Sequence, residues 1–155
     1  MKLNQSTEQG VYVVVILALQ KGHKPLKSSL LAKTLQVSDS YLKKILRKLV
    51  VADVINSVAS KEGGFVLNRP INQISFGDVY RAVQDNHAEI KFNHIGNRLF
   101  DNVEHVKEGE DKIFEALQNA DQAFLTELNQ IPMSDLLEAY AISDGAIDWE
   151  KQFGE

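Results

Sequence analysis

Two short helical patterns separated by three residues constrain this chain more than any other feature. In Ser28-Ser29-Leu30-Leu31-Ala32-Lys33-Thr34-Leu35, the residues Leu31, Ala32 and Leu35 share one face, and Ser28 stands where a capping hydroxyl belongs. Gln36-Val37-Ser38 interrupts, and Asp39 to Val50 resumes the pattern with Ser38 as its cap. Leu42, Ile45, Leu46, Leu49 and Val50 fall at i, i+3, i+4, i+7 and i+8, the stripe of a helix packed on one side. Lys43, Lys44, Arg47 and Lys48 occupy the rest of its circumference. Two helices across so tight a turn, with the small Ala32 where they approach, predict a helix-turn-helix. In that motif the second helix enters the major groove by its N-terminal end, which here presents Ser38, Asp39, Ser40 and Tyr41. The lysines and Arg47 then bind phosphates or guanine edges, and Ser28 joins them from the first helix.

A solvated basic face is the plainer reading of a lysine-rich helix, so the charge distribution matters. The 155 residues carry a net charge of -4. Residues 1–70 hold eleven Lys and Arg against four acids, a net +7, whereas residues 71–155 hold six against seventeen, a net -11. A basic half on an acidic body fits a polyanion-binding module and favours double-stranded DNA as the partner. There is no cysteine, which removes disulfides, thiolate catalysis and cysteine-ligated zinc or iron-sulfur sites. The longest apolar run, Val11 to Leu19, has nine residues, whereas a spanning helix needs about 20. A cytoplasmic protein with no membrane partner is expected. No phosphate loop, nucleophile with adjacent base or framed carboxylate pair points to an enzyme.

The run Val11 to Leu19 is rich in β-branched residues, yet its length, the cap candidates Ser6 or Thr7 before it and Gly22 after it favour a buried helix. Ile55 to Ala59 and Phe65 to Asn68 predict the two strands of a hairpin. Gly63 and Gly64 are expected to supply the backbone angles of its tip and to allow close approach to a partner. That makes the hairpin a wing, with Lys61 touching the DNA backbone or minor groove.

Several of these residues together are familiar. Met1-Lys2-Leu3, Leu31-Ala32, Val37-Ser38, Tyr41-Leu42, Gly63-Gly64-Phe65, Arg69-Pro70, Ile74 and Asp78-Val79 through Ala82-Val83 resemble the Rrf-two family of bacterial winged-helix regulators, mostly repressors. The likeness covers roughly residues 1 to 85 and implies a homodimer on an imperfect palindrome, with a long C-terminal helix crossing between subunits. Two positions depart from it. Many members carry an arginine-glycine pair before the wing glycines, where this chain has Ala59 and Ser60, and many carry a glutamate where Lys43 stands. The first change passes the minor-groove contact to Lys61 or loses it; the second replaces an acceptor by a donor and alters base preference. The family's cluster-binding members use three cysteines beyond the wing, so the signal here is something else, a small-molecule effector or a protein partner.

In the acidic half, Ser75-Phe76-Gly77-Asp78 has capping-box spacing before a helix bearing Val79, Ala82 and Val83. Asn86 to Asn93 reads as irregular. His87, His94 and His105 lie where the cluster-binding relatives place their ligands, but spacings of seven and eleven match no compact metal motif, and surface or structural histidines are the plainer reading. From Asp111 to Gln130, Ile113, Leu117, Ala120, Phe124 and Leu128 are spaced 4, 3, 4 and 4, which suits a long helix packed against its twin or inside its own subunit. Pro132 ends it, and Ser134 can cap a further helix through Leu136, Leu137 and Tyr140.

The expected fold is mainly α with a small β-hairpin wing. Residues 1–85 form a winged helix-turn-helix domain, 86–142 a linker, long dimerisation helix and final short helix, and 143–155 a flexible tail, with docking of Trp149 and Phe153 on a partner subunit as the alternative for that tail. The expected function is a homodimeric, sequence-specific DNA-binding regulator, a repressor on a palindromic operator, answering to a signal that is not an iron-sulfur cluster. The alternative is a winged helix used as a protein-interaction module.

Overall fold

The apolar run near the start is a helix. In the computed structural model, which describes residues 3–84, 91–141 and 145–154, α1 spans Gln5–Leu19 and buries Val13, Val14, Ile16, Leu17 and Ala18. Its cap is Asn4 rather than Ser6 or Thr7. The Asn4 Oδ1 accepts from the Thr7 amide at 2.9 Å and from the Thr7 hydroxyl at 2.8 Å, leaving Thr7 buried inside the first turn.

Helices α2 (Ser28–Leu35) and α3 (Asp39–Val51) form the predicted pair. Leu31 and Ala32 of the first, and Leu42, Ile45, Leu46 and Leu49 of the second, are buried in one core. The turn between them closes through Gln36, which adopts a left-handed φ of 56° and donates its amide to the Ala32 and Lys33 carbonyls. A non-glycine residue there costs about 1–2 kcal/mol, which the packing of both helices offsets. Ser38 Oγ accepts from the Tyr41 amide at 3.3 Å, as its spacing predicted. Ser28 is not a cap: it is the first helical residue, and the cap position falls to Lys27, which makes no side-chain bond there.

Strands β1 (Ile55–Val58) and β2 (Gly64–Leu67) pair antiparallel, with Ile55 opposite Leu67 and Val58 opposite Gly64. A third segment joins them, since the amides and carbonyls of Leu26 and Phe65 exchange bonds of 3.1 and 2.8 Å. This contact corrects the role assigned to the glycines. Neither Gly63 nor Gly64 has positive φ. A Cβ on Gly64 would collide with the Leu26 carbonyl, and one on Gly63, which is buried, with the Val58 carbonyl. Both glycines serve close approach of the chain to itself, not turn angles.

Helix α4 (Phe76–Val83) begins with a complete capping box: the Asp78 amide donates to Ser75 Oγ at 3.0 Å, and the Ser75 amide to Asp78 Oδ2 at 2.9 Å. Helix α5, Val103–Asn129, is 27 residues long and starts well before the predicted Asp111, because Asn102 Oδ1 accepts from the His105 amide at 3.1 Å and serves as a cap. After Pro132 there is no helix capped by Ser134. Two 3-10 turns, Met133–Leu136 and Ala139–Ala141, follow instead, and they bury Met133 and Ala141.

Within the stretch expected as a tail, residues 145–154 are described. Helix α6, Trp149–Phe153, closes the chain, and its Trp149 packs against the core of its own subunit. By contact, the chain divides into two compact units, Met1–Gln84 with Leu128–Glu155, and Asp85–Glu127. If Gly64 is fixed by the Leu26 carbonyl, Gly64→Ala should lower unfolding free energy by about 1–3 kcal/mol in urea denaturation, as overpacking does. An unchanged midpoint would show that the wing accommodates the methyl group.

Candidate nucleic-acid interface

Outside its buried stripe α3 and its cap carry Ser38, Ser40, Tyr41, Lys43, Lys44 and Arg47, all exposed. Asp39 is half-buried, and its carboxylate lies 2.6 Å from the Lys43 ammonium. Lys43 holds the Asp39 carboxyl below the usual carboxylate range, the Ser28 hydroxyl adding to the effect against a smaller opposing push from burial. The pair bridges one helical turn at the surface, so it orients Lys43 more than it stabilises the fold. Lys44 and Arg47 extend the positive face along the helix.

Two of the predicted readers are also tied inward. At 100° per residue, Tyr41 and Lys48 lie roughly 40–60° from Ile45, on the edge of the buried stripe. Tyr41's hydroxyl is 2.7 Å from Ser6 Oγ, so a residue proposed as a helix cap instead holds the ring of Tyr41 against α1. Lys48 is half-buried, and its Nζ donates to the Val83 carbonyl at 3.2 Å. It therefore satisfies the C-terminus of α4, where a cation is favoured, rather than presenting its charge to a phosphate. Lys61 is exposed at the wing tip. Gly63 and Gly64 face the chain's own backbone, and Ser28 sits half-buried at the start of α2.

Arg69, just after β2, sets the geometry between these parts. Its Nη1 donates to the Asp53 carbonyl at 2.8 Å, Nε to the Gln73 carbonyl at 2.9 Å and Nη2 to Asp78 Oδ2 at 2.8 Å. Asp53, which ends the turn after α3 with a left-handed φ of 56°, also accepts from Asn68 Nδ2 at 3.1 Å. One guanidinium thus joins the end of α3, the 3-10 turn Ile71–Gln73 and the start of α4. Burial pushes the Asp78 carboxyl up, but the Ser75 amide and hydroxyl and Arg69 outweigh it and hold the group below its ordinary value.

A family model described as Rrf2, iron-dependent transcriptional regulator, matches residues 3–139. The chain belongs to the Rrf2 family. A relative in Lactococcus lactis named as a candidate HTH-type transcriptional regulator, YffB, is 45% identical over 84 residues, 54% of each protein, and YwgB of Bacillus subtilis is 39% identical over the same span. The chain spans about half the length of these curated relatives. Among solved structures, the cysteine regulator CymR of B. subtilis superposes with a TM-score of 0.58 at 22% identity, covering 88% of this chain and 95% of that one. IscR of T. potens gives 0.61 at 20% identity, covering 97% and 96%. The winged-helix fold with a long C-terminal helix is therefore that of the Rrf2 regulators.

The iron in the family description does not fit the donors this Rrf2 chain offers. Cysteine is absent, and among the described residues no group of three or more His, Asp or Glu is placed to hold a metal ion. His94 Nδ1 lies 2.6 Å from Glu110 Oε2, and His105 Nδ1 is 3.8 Å from Glu108. These are separate pairs, and His87 lies outside the described residues.

Helix α5 carries the other predicted surface. None of its residues is buried. Ile113, Leu117 and Ala120 are exposed, at 53% and 45% for the first two, while Phe124 and Leu128 are half-buried. No described helix is long and apolar enough to cross a membrane.

The Asp78 network has a pH signature. A carboxyl whose folded value lies below its unfolded value near 3.9 contributes stability that is complete above that pH and is lost as pH falls through the folded value. Urea midpoints should fall below about pH 4, and Asp78→Asn should be less stable at neutral pH with a flatter acid limb. Parallel acid limbs would remove Asp78 from that role.

Proposed function

We propose that this Rrf2 chain is a sequence-specific DNA-binding repressor that acts as a homodimer on a palindromic operator. The observation carrying this reading is the one-sided burial of α3: the apolar stripe is fully packed, which leaves Ser40, Tyr41, Lys43, Lys44 and Arg47 together on an exposed face beside a winged hairpin. Ser38 to Tyr41 at the N-terminal end read base edges, Lys44 and Arg47 take phosphates or guanine edges, and Lys61 follows the adjacent backbone. Lys48 leaves the contact set and acts as a scaffold cation.

Dimerisation supplies the second half-site. A 27-residue helix is roughly 40 Å long, and one with no fully buried residue, whose Ile113 and Leu117 are exposed, calls for a partner surface. A second copy of α5 offers the matching stripe. The winged domain and α5 then divide the labour between reading and pairing. The lack of cysteine directs the signal toward a small molecule or a protein partner and away from a thiolate-ligated cluster. Repression follows from a bound dimer covering promoter DNA, and such a regulator works in the cytoplasm.

Selection from random duplex DNA at near-physiological salt should enrich a palindrome with half-sites about one helical turn apart. No enriched sequence, with binding that disappears as salt rises, would replace this reading with a protein-interaction module. Lys44→Ala should reduce the logarithmic salt slope by about 1.8, one phosphate contact from each subunit of the dimer, whereas Lys48→Ala should leave that slope unchanged and lower thermal stability. Leu117→Glu with Phe124→Glu should sediment as a folded monomer; a persisting dimer would place the interface elsewhere.

A further inference from the structure

The C-terminal segment that follows the family-matched residues is built into the winged domain, and its position bears on the DNA face. Helix α1 ends with carbonyls that its own backbone cannot satisfy. The segment adds donors there: the amides of Ala146 and Ile147 donate to the Leu19 carbonyl at 3.0 and 2.9 Å, and Trp149 Nε1 gives the Ile16 carbonyl, already bonded by the Gln20 amide at 3.0 Å, a second donor at 2.9 Å. The Lys21 amide returns a bond to the Ile147 carbonyl at 2.8 Å, and Gln20 Oε1 accepts from the Trp149 amide at 3.2 Å. Gly145 permits this approach with φ of 69°, since a Cβ there would collide with the Gln20 carbonyl. Asp148 caps α6 by accepting from the Lys151 amide at 3.2 Å, and the ring of Phe153 lies 5.9 Å from that of Trp149.

So anchored, α6 lies beside the first helix of the helix-turn-helix. Glu150, Phe153 and Gly154 face Lys27, Ser29 and Lys33 across a cleft of about 380 Å³. Lys27 stands at the N-terminus of α2, where the backbone amides and the helix dipole also favour a phosphate. Glu150 is exposed and lines this cleft together with Lys27 and Lys33.

We infer that the C-terminal helix is an electrostatic guard on the DNA-binding face, its Glu150 carboxylate competing with backbone phosphates for Lys27 and Lys33. The inference rests on the DNA-binding reading above and adds a sequence-independent brake to it. Because it opposes phosphate contacts, the guard weakens every duplex alike and lowers occupancy of random DNA.

The test is fluorescence-anisotropy titration of the full chain with a random-sequence duplex over a range of salt. Glu150→Gln should bind roughly three-fold tighter at low salt, the scale of one exposed charge interaction in water, and the gain should vanish near 1 M salt. Repeating the substitution in a Lys27→Gln, Lys33→Gln background separates competition from net charge. Loss of the gain in that background supports the guard. Equal affinity of the parent and Glu150→Gln, or a gain that survives without the lysines, overturns it. Unchanged Trp149 emission reports that α6 is still docked in the variant. Absence of duplex binding by the parent chain even at low salt would instead overturn the DNA-binding reading and the guard with it.

Discussion

The three bonds of the Arg69 guanidinium are the constraint on which the arrangement of α3, the hairpin and α4 depends. Each goes to a different segment: the turn closing α3, the 3-10 turn after Pro70 and the cap of α4. Their worth lies in relative position. Helices α3 and α4 and the hairpin are held by burial of side chains such as Leu46, Ile55 and Val79, which tolerates small sliding, whereas a planar guanidinium with fixed donor directions does not. Lys48 makes a second strap, from the middle of α3 to the end of α4. Helix α3 is thus fixed at both its body and its C-terminal turn, while Ser38, Ser40 and Tyr41 at its N-terminal end are exposed.

What was legible in the sequence follows from the range of the interactions. The stripe of α3, the Ser38 cap and the Ser75 capping box depend on residues three or four apart, and all appear as expected. The roles of Lys48, Ser6 and Gly64 depend on atoms 35 or more positions away, and the charge or flexibility of the residue alone suggested something different in each case. Position relative to Ile45 held a usable signal for Lys48, since a lysine at the edge of a buried stripe can reach across it. The early start of α5 was available too, in Asn102 three residues before His105. The docked tail was not: a five-residue helix has too little periodicity to register, and its anchor is an indole proton on a carbonyl 133 residues back.

Charge gives the chain a polarity that the fold puts to use. The basic residues of the first 70 positions collect on α2, α3 and the wing, while α5 and the C-terminal segment carry most of the acids. Belonging to the Rrf2 family accounts for the winged helix and the long helix, and the lack of cysteine separates this chain from the cluster-ligating mode of sensing. Two carboxylates stand among these basic residues: Asp39, paired with Lys43, and Glu150, which lines one cleft with Lys27 and Lys33.

We propose that the exposed face of α3 reads DNA while its buried stripe and Lys48 serve the fold. Amide chemical-shift mapping of the isotopically labelled protein, titrated with its enriched duplex, separates the two roles. The largest shifts are expected at Ser38, Ser40, Tyr41, Lys44, Arg47 and Lys61, with Lys48 and Arg69 little changed. Shifts centred on α5 or spread evenly over the surface, with α3 silent, would contradict it.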